Sequence, residues 1–386
     1  MLFEVRKSVF ISREQLEARR PGKLYGRFFK DSGVFNIFPV GMESEGDYLG
    51  DMLPEGSRPN RKKLCGVLMS NGAAFYSFGK RIEHEVYDLY QDLFSRNSGI
   101  LETKYLAEKR ALILGCGSVG SFVALELARS GVANFLLVDP DIVEYHNICR
   151  HQCGLTDVGD LKVNALERRL KNINPSVTVV KHGGIFQDIP KRLLDDFCVA
   201  GETVFVGCAD NRNADVYSNR ISILYGAAFV SIGFWERAYA GEIFYHIPGR
   251  NMPCYQCALG DGGNGMSSRA EANHHVYSNE EDLEKVNFEP GISADIDFIT
   301  CIGVKLILDI LNQSRKEYIP RLLGHLKQYT LVCNTADPRI GGGMVEIFSY
   351  PLQVTTSLRV GFNAKCAGIC RYEKQGSPKE ERSEYE

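Results

Sequence analysis

The sequence predicts an α/β fold with a largely parallel, doubly wound sheet, and three observations point there. From Arg110 onward, short apolar runs alternate with helical patterns, as parallel strands joined by crossover helices require. The first run, 111–114, ends in the glycine turn Gly115-Cys-Gly117-Ser-Val-Gly120 and leads into an amphipathic pattern over 118–130. The second run, 135–138, ends in Asp139, about 20 residues beyond the turn, where an acid can bind a ribose hydroxyl. Strand, glycine turn, helix, strand and acid together describe a Rossmann-like unit. Its glycines let the backbone approach a phosphate at a helix N-terminus, where free N–H groups and the helix dipole favour anions.

Further along, strands are expected over 177–181 and 204–207, with helices over 161–172 and 190–197. A strand-rich part follows, 228–232 and 241–247, then a polar, glycine-rich segment, 260–291, read as a functional flap. Residues 294–311 form an expected helix that is apolar nearly all round and hence deeply packed, with Lys305 and Asp309 as an i,i+4 pair. Strands over 329–333 and 344–349 close the pattern, and the charged tail 375–386 is expected to be disordered. Residues 1–93 read as a separate, small α+β module without a chemical motif. In it, 79–93 has helical spacing, with Ile82, Val86, Leu89, Tyr90 and Leu93 on one face. The domain reading is therefore 1–93, 94–374 and 375–386.

Composition narrows the function classes. The 386 residues are 44% hydrophobic and 24% charged, with a net charge of −3, so neither a nucleic-acid partner nor an anionic membrane is expected. There is no uninterrupted apolar run of the ~18 residues a membrane span needs. The first residues, MLFEVRK, carry early charges and no apolar signal core, which predicts a cytoplasmic protein. In such a reducing compartment the 12 cysteines read as metal ligands or catalytic thiols before disulfides.

The residues after Asp139 separate this chain from a dehydrogenase. They read Pro-Asp141-Ile-Val-Glu-Tyr-His-Asn147-Ile-Cys-Arg150. An amide and an arginine here suit nucleotidyl transfer: Asn147 can hydrogen-bond phosphate or carboxylate oxygens, and Arg150 can clamp phosphates with its planar fork. Lys162 opens the next helix and can add a point charge to the same polyphosphate. Asp210, in Cys208-Ala-Asp-Asn211 after the fourth strand, is placed to hold Mg²⁺. The alternative for Arg150 and Lys162 is plain surface charge. A second constellation, Cys254-Tyr-Gln-Cys257 and Cys366-Ala-Gly-Ile-Cys370, offers two thiolate pairs suited to structural zinc, with free buried thiols or a redox pair as alternatives.

On the glycine turn, DPDIVEYHNICR, Lys162, CADN at 208–211 and CYQC at 254–257, the chain resembles the ThiF/MoeB/HesA superfamily over roughly 94–370. The superfamily includes the activating enzymes of ubiquitin-like proteins. The resemblance implies an adenylyltransferase that uses ATP and Mg²⁺ to adenylate the C-terminal carboxylate of a ubiquitin-like or sulfur-carrier protein, releasing pyrophosphate. It implies a nucleotide held by Gly115, Gly117, Gly120, Asp139, Asp141, Asn147, Arg150 and Lys162, with Asp210 on the magnesium. Arg150, Lys162 and Asp210 carry the catalysis, with Arg96 of Ser95-Arg-Asn97 reaching the ATP of the partner subunit in a homodimer. It also implies a zinc site on Cys254, Cys257, Cys366 and Cys370. The family's second pair is usually C-x-x-C, whereas three residues intervene here.

The activated protein would pass to a sulfur acceptor or to the thiol of a conjugating enzyme. Relatives that carry it themselves often use a cysteine in the crossover loop, but 260–291 contains none. Cys301 in the apolar helix is expected to be core, and Cys149, Cys153 and Cys208 lie within or beside the nucleotide motifs. By analogy the chain resembles stand-alone bacterial versions, some of which serve ubiquitin-like conjugation in antiviral defence. Two alternatives stand beside this reading. One is a peptide-modifying enzyme of the microcin-maturing kind, similar in its SRN at 95–97 and its FEPGISAD segment. The other is a nucleotide-binding scaffold without catalysis.

Overall fold

A computed structural model describes residues 7–209, 211–235, 238–259, 291–334 and 353–363, with Cys366 and Cys370. The chain divides into two compact units, Met1–Ser98 and Gly99–Glu386.

The first unit is a closed barrel. Its strands are β1 (Ser8–Ser12), β2 (Gly22–Phe29), β3 (Val34–Ile37), β4 (Asp47–Leu53), β5 (Leu64–Met69), β6 (Gly72–Ser77) and β7 (Lys80–Tyr87), in the order β1-β3-β2-β4-β5-β6-β7. Alternate side chains point inward, so Val9, Ile11, Phe35, Ile37, Leu64 and Phe75 fill the interior. The short helix α1 (Arg13–Glu17) is capped by Ser12, whose hydroxyl accepts the Gln15 N–H.

The helix expected over 79–93 is corrected here. Lys80–Tyr87 is a strand, and only Leu89–Leu93 is helical (α2), begun by the Asp88 side chain accepting the Gln91 N–H. Ile82 and Val86 lie four residues apart, a spacing that satisfies the strand period of 2 as well as the helical period of 3.6. Partners break the tie: β7 pairs antiparallel with β6 (Phe75↔Ile82) and parallel with β1 (Ile11↔Val86), closing the barrel.

The second unit opens with α3 (Thr103–Ala107) and is built on an eight-stranded sheet. The strands are β8 (Arg110–Leu114), β9 (Asn134–Val138), β10 (Thr178–His182), β11 (Thr203–Gly207), β12 (Ala228–Phe234), β13 (Ala240–His246), β14 (Tyr329–Cys333) and β15 (Gln353–Leu358). Their order is β10-β9-β8-β11-β12-β13-β14-β15. The first five are parallel and the last three join antiparallel. This is the mixed α/β architecture the sequence predicts. The strand expected over 344–349, the flap over 260–290 and the tail lie outside the described residues.

Both faces of the sheet are covered, which is why its strands read as unbroken apolar runs. Ala111, Ile113, Phe135, Leu137, Val204 and Val206 face one side. Leu112, Leu114, Leu136, Val138 and Phe205 face the other. On the first side lie α4 (Ser118–Ser130), α5 (Lys162–Ile173) and the long helix Ser293–Asn312, which contribute Val123, Leu127, Leu166, Leu170, Ile307 and Leu311. On the second lie α6 (Lys191–Phe197) and α7 (Arg212–Leu224), through Leu194, Phe197 and Ile221. After the short α8 (Tyr255–Leu259) comes the long α9 (Ser293–Asn312), and none of the described helices is long and apolar enough to cross a membrane.

The expected Lys305–Asp309 pair is replaced by a different arrangement. Lys305 is exposed, while Asp309 is fully buried. Its carboxylate accepts the Tyr318 hydroxyl at 2.6 Å and the backbone N–H groups of Arg321, Leu322 and Leu323 at 2.6 to 3.1 Å. A buried carboxylate is stabilised by several directed donors more firmly than by one flexible surface lysine.

The loop before α5 is held by a second buried acid. Asp157 accepts from Arg168 at 3.0 Å and Arg169 at 2.7 Å, and from the Gly154 N–H. Burial alone would raise its pKa, but the Gly154 N–H and the two guanidinium groups outweigh it and lower the value from 3.8 to about 2. A depressed carboxylate pKa contributes stability that is present above the unfolded value and lost as pH falls through the folded one. Acid titration is therefore expected to weaken the fold between pH 3.8 and about 2, and Asp157→Asn to remove that step from the melting-temperature profile.

Candidate nucleotide site

The sheet order reverses direction between β8 and β11, and an open α/β sheet offers its ligand crevice beyond the carboxyl ends of the strands at that point. A cavity of about 800 Å³ lies there. Gly115, Gly117, Asp139, Asp141, Asn147, Arg150 and Lys162 all line it, so one space collects seven of the residues singled out from sequence. Gly120 is not among the lining residues; it is buried against the Gly115 carbonyl. Asp210 lies outside the described residues, though Ala209 and Asn211 on either side line the same cavity. Arg96 belongs to the barrel unit, in the turn Ser95–Asn97.

Backbone geometry shapes the turn. Gly115 has φ +90°, and a Cβ there would sit 2.8 Å from the Ala209 backbone. At Gly120 a Cβ would come within 1.8 Å of the Gly115 carbonyl oxygen. Helix α4 can fold back over the turn only because both side chains are missing. Its N-cap is Gly117, and among the described residues no side chain caps it, so the first-turn N–H groups remain for an anion. Gly120→Ala is expected to push α4 off the turn, costing about 1–3 kcal/mol of stability by overpacking. In the folded fraction, nucleotide binding measured by calorimetry should be lost.

Asp139 is 5% exposed and ties the turn to the next loop. Its Oδ2 accepts the Cys116 N–H at 2.6 Å and its Oδ1 the Asp141 N–H at 2.8 Å. Burial pushes its pKa up, and the Lys162 ammonium 4.0 Å away opposes that shift. Lys162 begins α5 with its side chain only 12% exposed, between Asp139 and Asp141, whose carboxylate it meets at 2.8 Å. Asp141 is thus the lysine's counter-ion. The Asn147 amide oxygen accepts the Glu144 N–H at 2.9 Å, so its NH₂ end keeps its donors. Asn211 caps α7 by accepting the N–H groups of Asn213 and Ala214.

One residue at this site escaped the sequence reading. His151 is buried, receives the Cys153 N–H at Nδ1 (3.0 Å) and meets the Cys116 carbonyl oxygen at Nε2 (2.7 Å). A histidine next to a conspicuous arginine carries no periodic signal that would single it out.

The four cysteines come together in one cluster. Cys254 and Cys257 flank the start of α8, with Sγ atoms 3.8 Å apart. Cys254 lies 3.5 Å from Cys366, and Cys257 lies 3.7 Å from Cys370. All four sulfurs lie within 4.8 Å of one another. A tetrahedron with ~2.3 Å zinc–sulfur bonds has edges of ~3.8 Å, so the donor set fits zinc. All twelve cysteines are free thiols. Cys301, expected in the core, is exposed: with Phe298 and Lys305 it forms the solvent-facing line of α9, at spacings of three and four residues. Cys208 and Cys153 are buried, and desolvation pushes the Cys153 thiol up to about 11, away from the nucleophilic thiolate. Cys149 is exposed, its thiol directed at the His146 carbonyl.

A doubly wound sheet with an uncapped glycine turn at its switch point defines the class of Rossmann-type nucleotide-binding domains. The ThiF family model matches residues 91–337, and the chain belongs to the ThiF family. It is 34% identical over 162 residues to ubiquitin-like modifier-activating enzyme 5 of Mus musculus, covering 38% of each chain. It is 32% identical over 161 residues to the sulfur carrier protein ThiS adenylyltransferase of Bacillus subtilis, covering 40% of this chain and 45% of that one. The chain thus spans about two fifths of the length of the curated relatives it matches. Among solved structures, E. coli MccB with succinimide superimposes with a TM-score of 0.50 at 18% identity, covering 72% of this chain and 73% of that one, a likeness of fold.

Proposed function

We propose that this protein uses ATP to adenylate the C-terminal carboxylate of a small ubiquitin-like or sulfur-carrier protein. The observation that supports the reading is that an uncapped helix N-terminus, Asp139, Lys162, Arg150 and Asn147 line one cavity together. That is a site for a polyphosphate attached to a ribose. A carboxylate oxygen attacks the α-phosphorus, the P–O bond to the β-phosphate breaks, and pyrophosphate leaves with the electron pair. The nucleophile is already ionised, so no general base is needed and catalysis reduces to positioning and charge neutralisation.

In this reading the first-turn N–H groups of α4 and the Lys162 and Arg150 cations hold the phosphates, and the Asn147 NH₂ donates to a phosphate or carboxylate oxygen. The lone pairs left on Asp139 accept the ribose hydroxyls. Magnesium, held by Asp210, would neutralise charge on the leaving pyrophosphate. On the resemblance alone, Arg96 serves the nucleotide of the partner subunit in a homodimer. The adenylate is then consumed by a thiol or sulfur acceptor, such as a conjugating enzyme, and zinc on the four cysteines is structural.

The test is ATP–pyrophosphate exchange. Exchange is expected with a small acceptor protein bearing a free C-terminus and not with the same protein amidated there. Exchange with short peptides but with no folded acceptor would replace this reading by peptide modification, and binding of ATP without exchange under any acceptor would leave a scaffold.

A further inference from the structure

We infer that His151 is a positioning residue: from within the protein it sets the direction of the glycine turn's peptide groups and straps the Arg150 loop to that turn. The inference rests on the nucleotide reading of the cavity and deepens it.

The tautomer follows from the bonds. The Cys153 N–H can only donate, so Nδ1 accepts and bears no proton. The single proton of a neutral ring is then on Nε2, which donates to the Cys116 carbonyl oxygen at 2.7 Å. In a trans peptide the carbonyl and the following N–H point in opposite directions. A Cys116 carbonyl held toward His151 therefore turns the Gly117 N–H away from it. On the other side of Cys116, its own N–H is held by Asp139 at 2.6 Å. The two peptide groups at the bend are thus both fixed by buried side chains. Without the imidazole, the Cys116–Gly117 peptide could flip and present a carbonyl oxygen where an anion must bind.

The same segment is fastened a second time. The Gln152 N–H meets Ser121 Oγ at 3.3 Å, and the Ser121 N–H continues the first turn of α4 to the Gly117 carbonyl at 2.9 Å. His151 and Gln152 are thus bonded to the turn at Cys116 and to the first turn of α4 at Ser121. Arg150 is next in the chain, and its N–H bonds the Asn147 carbonyl, as does that of His151 at 2.8 Å. The strap therefore sets where Arg150 and Asn147 stand relative to the helix N-terminus.

A second proton on the ring would turn Nδ1 from acceptor to donor against the Cys153 N–H. Burial opposes that proton, as do the nearby Lys162 and Arg169 cations, while the Cys116 carbonyl and Asp157 favour it, and the net direction is downward from 6.5. The arrangement belongs to the neutral imidazole.

The experiment compares wild type, His151→Ala and His151→Gln by calorimetry, using inorganic pyrophosphate as the probe of the turn and ATP with Mg²⁺ as the probe of the nucleotide reading. His151→Ala is expected to weaken both at least tenfold at an unchanged fold. Gln, with an NH₂ to donate and an oxygen to accept, should recover most of the loss. A folded His151→Ala that binds both probes as wild type does overturns the inference and leaves the ATP reading standing. Wild type that binds pyrophosphate but not ATP, with the alanine loss intact, overturns only the ATP reading. Wild type that binds neither overturns both. Should the alanine variant not fold, the ¹⁵N spectrum of the wild-type ring decides: a proton on Nε2 alone at pH 7 supports the inference, and a charged ring or a proton on Nδ1 overturns it.

Discussion

Lys162→Ala is expected to reduce ATP–pyrophosphate exchange by about 10²–10³-fold, the scale on which a single preorganised donor to a developing charge contributes. The site's electrostatics place this loss at the high end. Lys162 is nearly buried and stands between Asp139, 4.0 Å away, and Asp141, 2.8 Å away. In the proposed reading its removal would delete a cation that meets the phosphates, and it leaves Asp139 and Asp141, which line the cavity, without their shared counter-ion. Those acids then repel the triphosphate. Arg150→Ala should lose about 10²-fold, the scale of one donor to a developing charge. Lys162→Arg should recover little, since a planar fork does not replace a compact ammonium between two carboxylates. Melting temperatures within a few degrees of wild type would show that the effect belongs to the site. Exchange within twofold of wild type in Lys162→Ala would refute its assignment.

The second large effect is expected from metal removal. Purified protein should contain one zinc per chain, and Cys254→Ser or Cys257→Ser should lose it. Structural zinc contributes about 10 kcal/mol or more in isolated zinc-finger peptides, so even a fraction retained here is large against the 5–15 kcal/mol stability of a typical domain. The sulfurs pack with Ile223 of α7, and the N–H of Tyr255, beside Cys254, donates to Asn219 of the same helix at 2.7 Å. Because α7 begins at the cavity, chelation is expected to lower the melting temperature first and exchange activity with it, and added zinc to restore both. Protein free of zinc, with a melting temperature unmoved by chelator, would leave the four cysteines as buried thiols.

Much of the sheet was legible because its signals are local. The helix over 118–130 and the strand over 329–333 have the bounds read from sequence; β8, β9 and β11 begin one residue earlier than read, β10 is shifted by one residue, and β12 runs two residues further. A strand covered on both faces must be apolar throughout, and a helix over a glycine turn must begin where the glycines stop. The barrel was less legible. Residues 80–87 fit two periods at once, and strand pairing with β1 and β6, remote in sequence or set by closure, chose between them. The exposed side of α9 was hidden for a related reason. Phe298 and Cys301 are apolar in type, so composition does not mark the line that faces solvent.

The sequence by itself determined the glycine turn, the acid at the end of the second strand and the list of cations that a polyphosphate would need. These follow from backbone conformation and residue chemistry within a few positions of one another. Only the tertiary structure decided that residues from separate loops line one cavity, that Asp141 is the partner of Lys162, that Cys366 and Cys370 meet Cys254 and Cys257, and that His151 reaches back 35 positions to the turn. The physical reason is the strand order. Contacts of long sequence separation are created when β11 pairs beside β8 and the chain reverses its direction of winding, and no local period records that step.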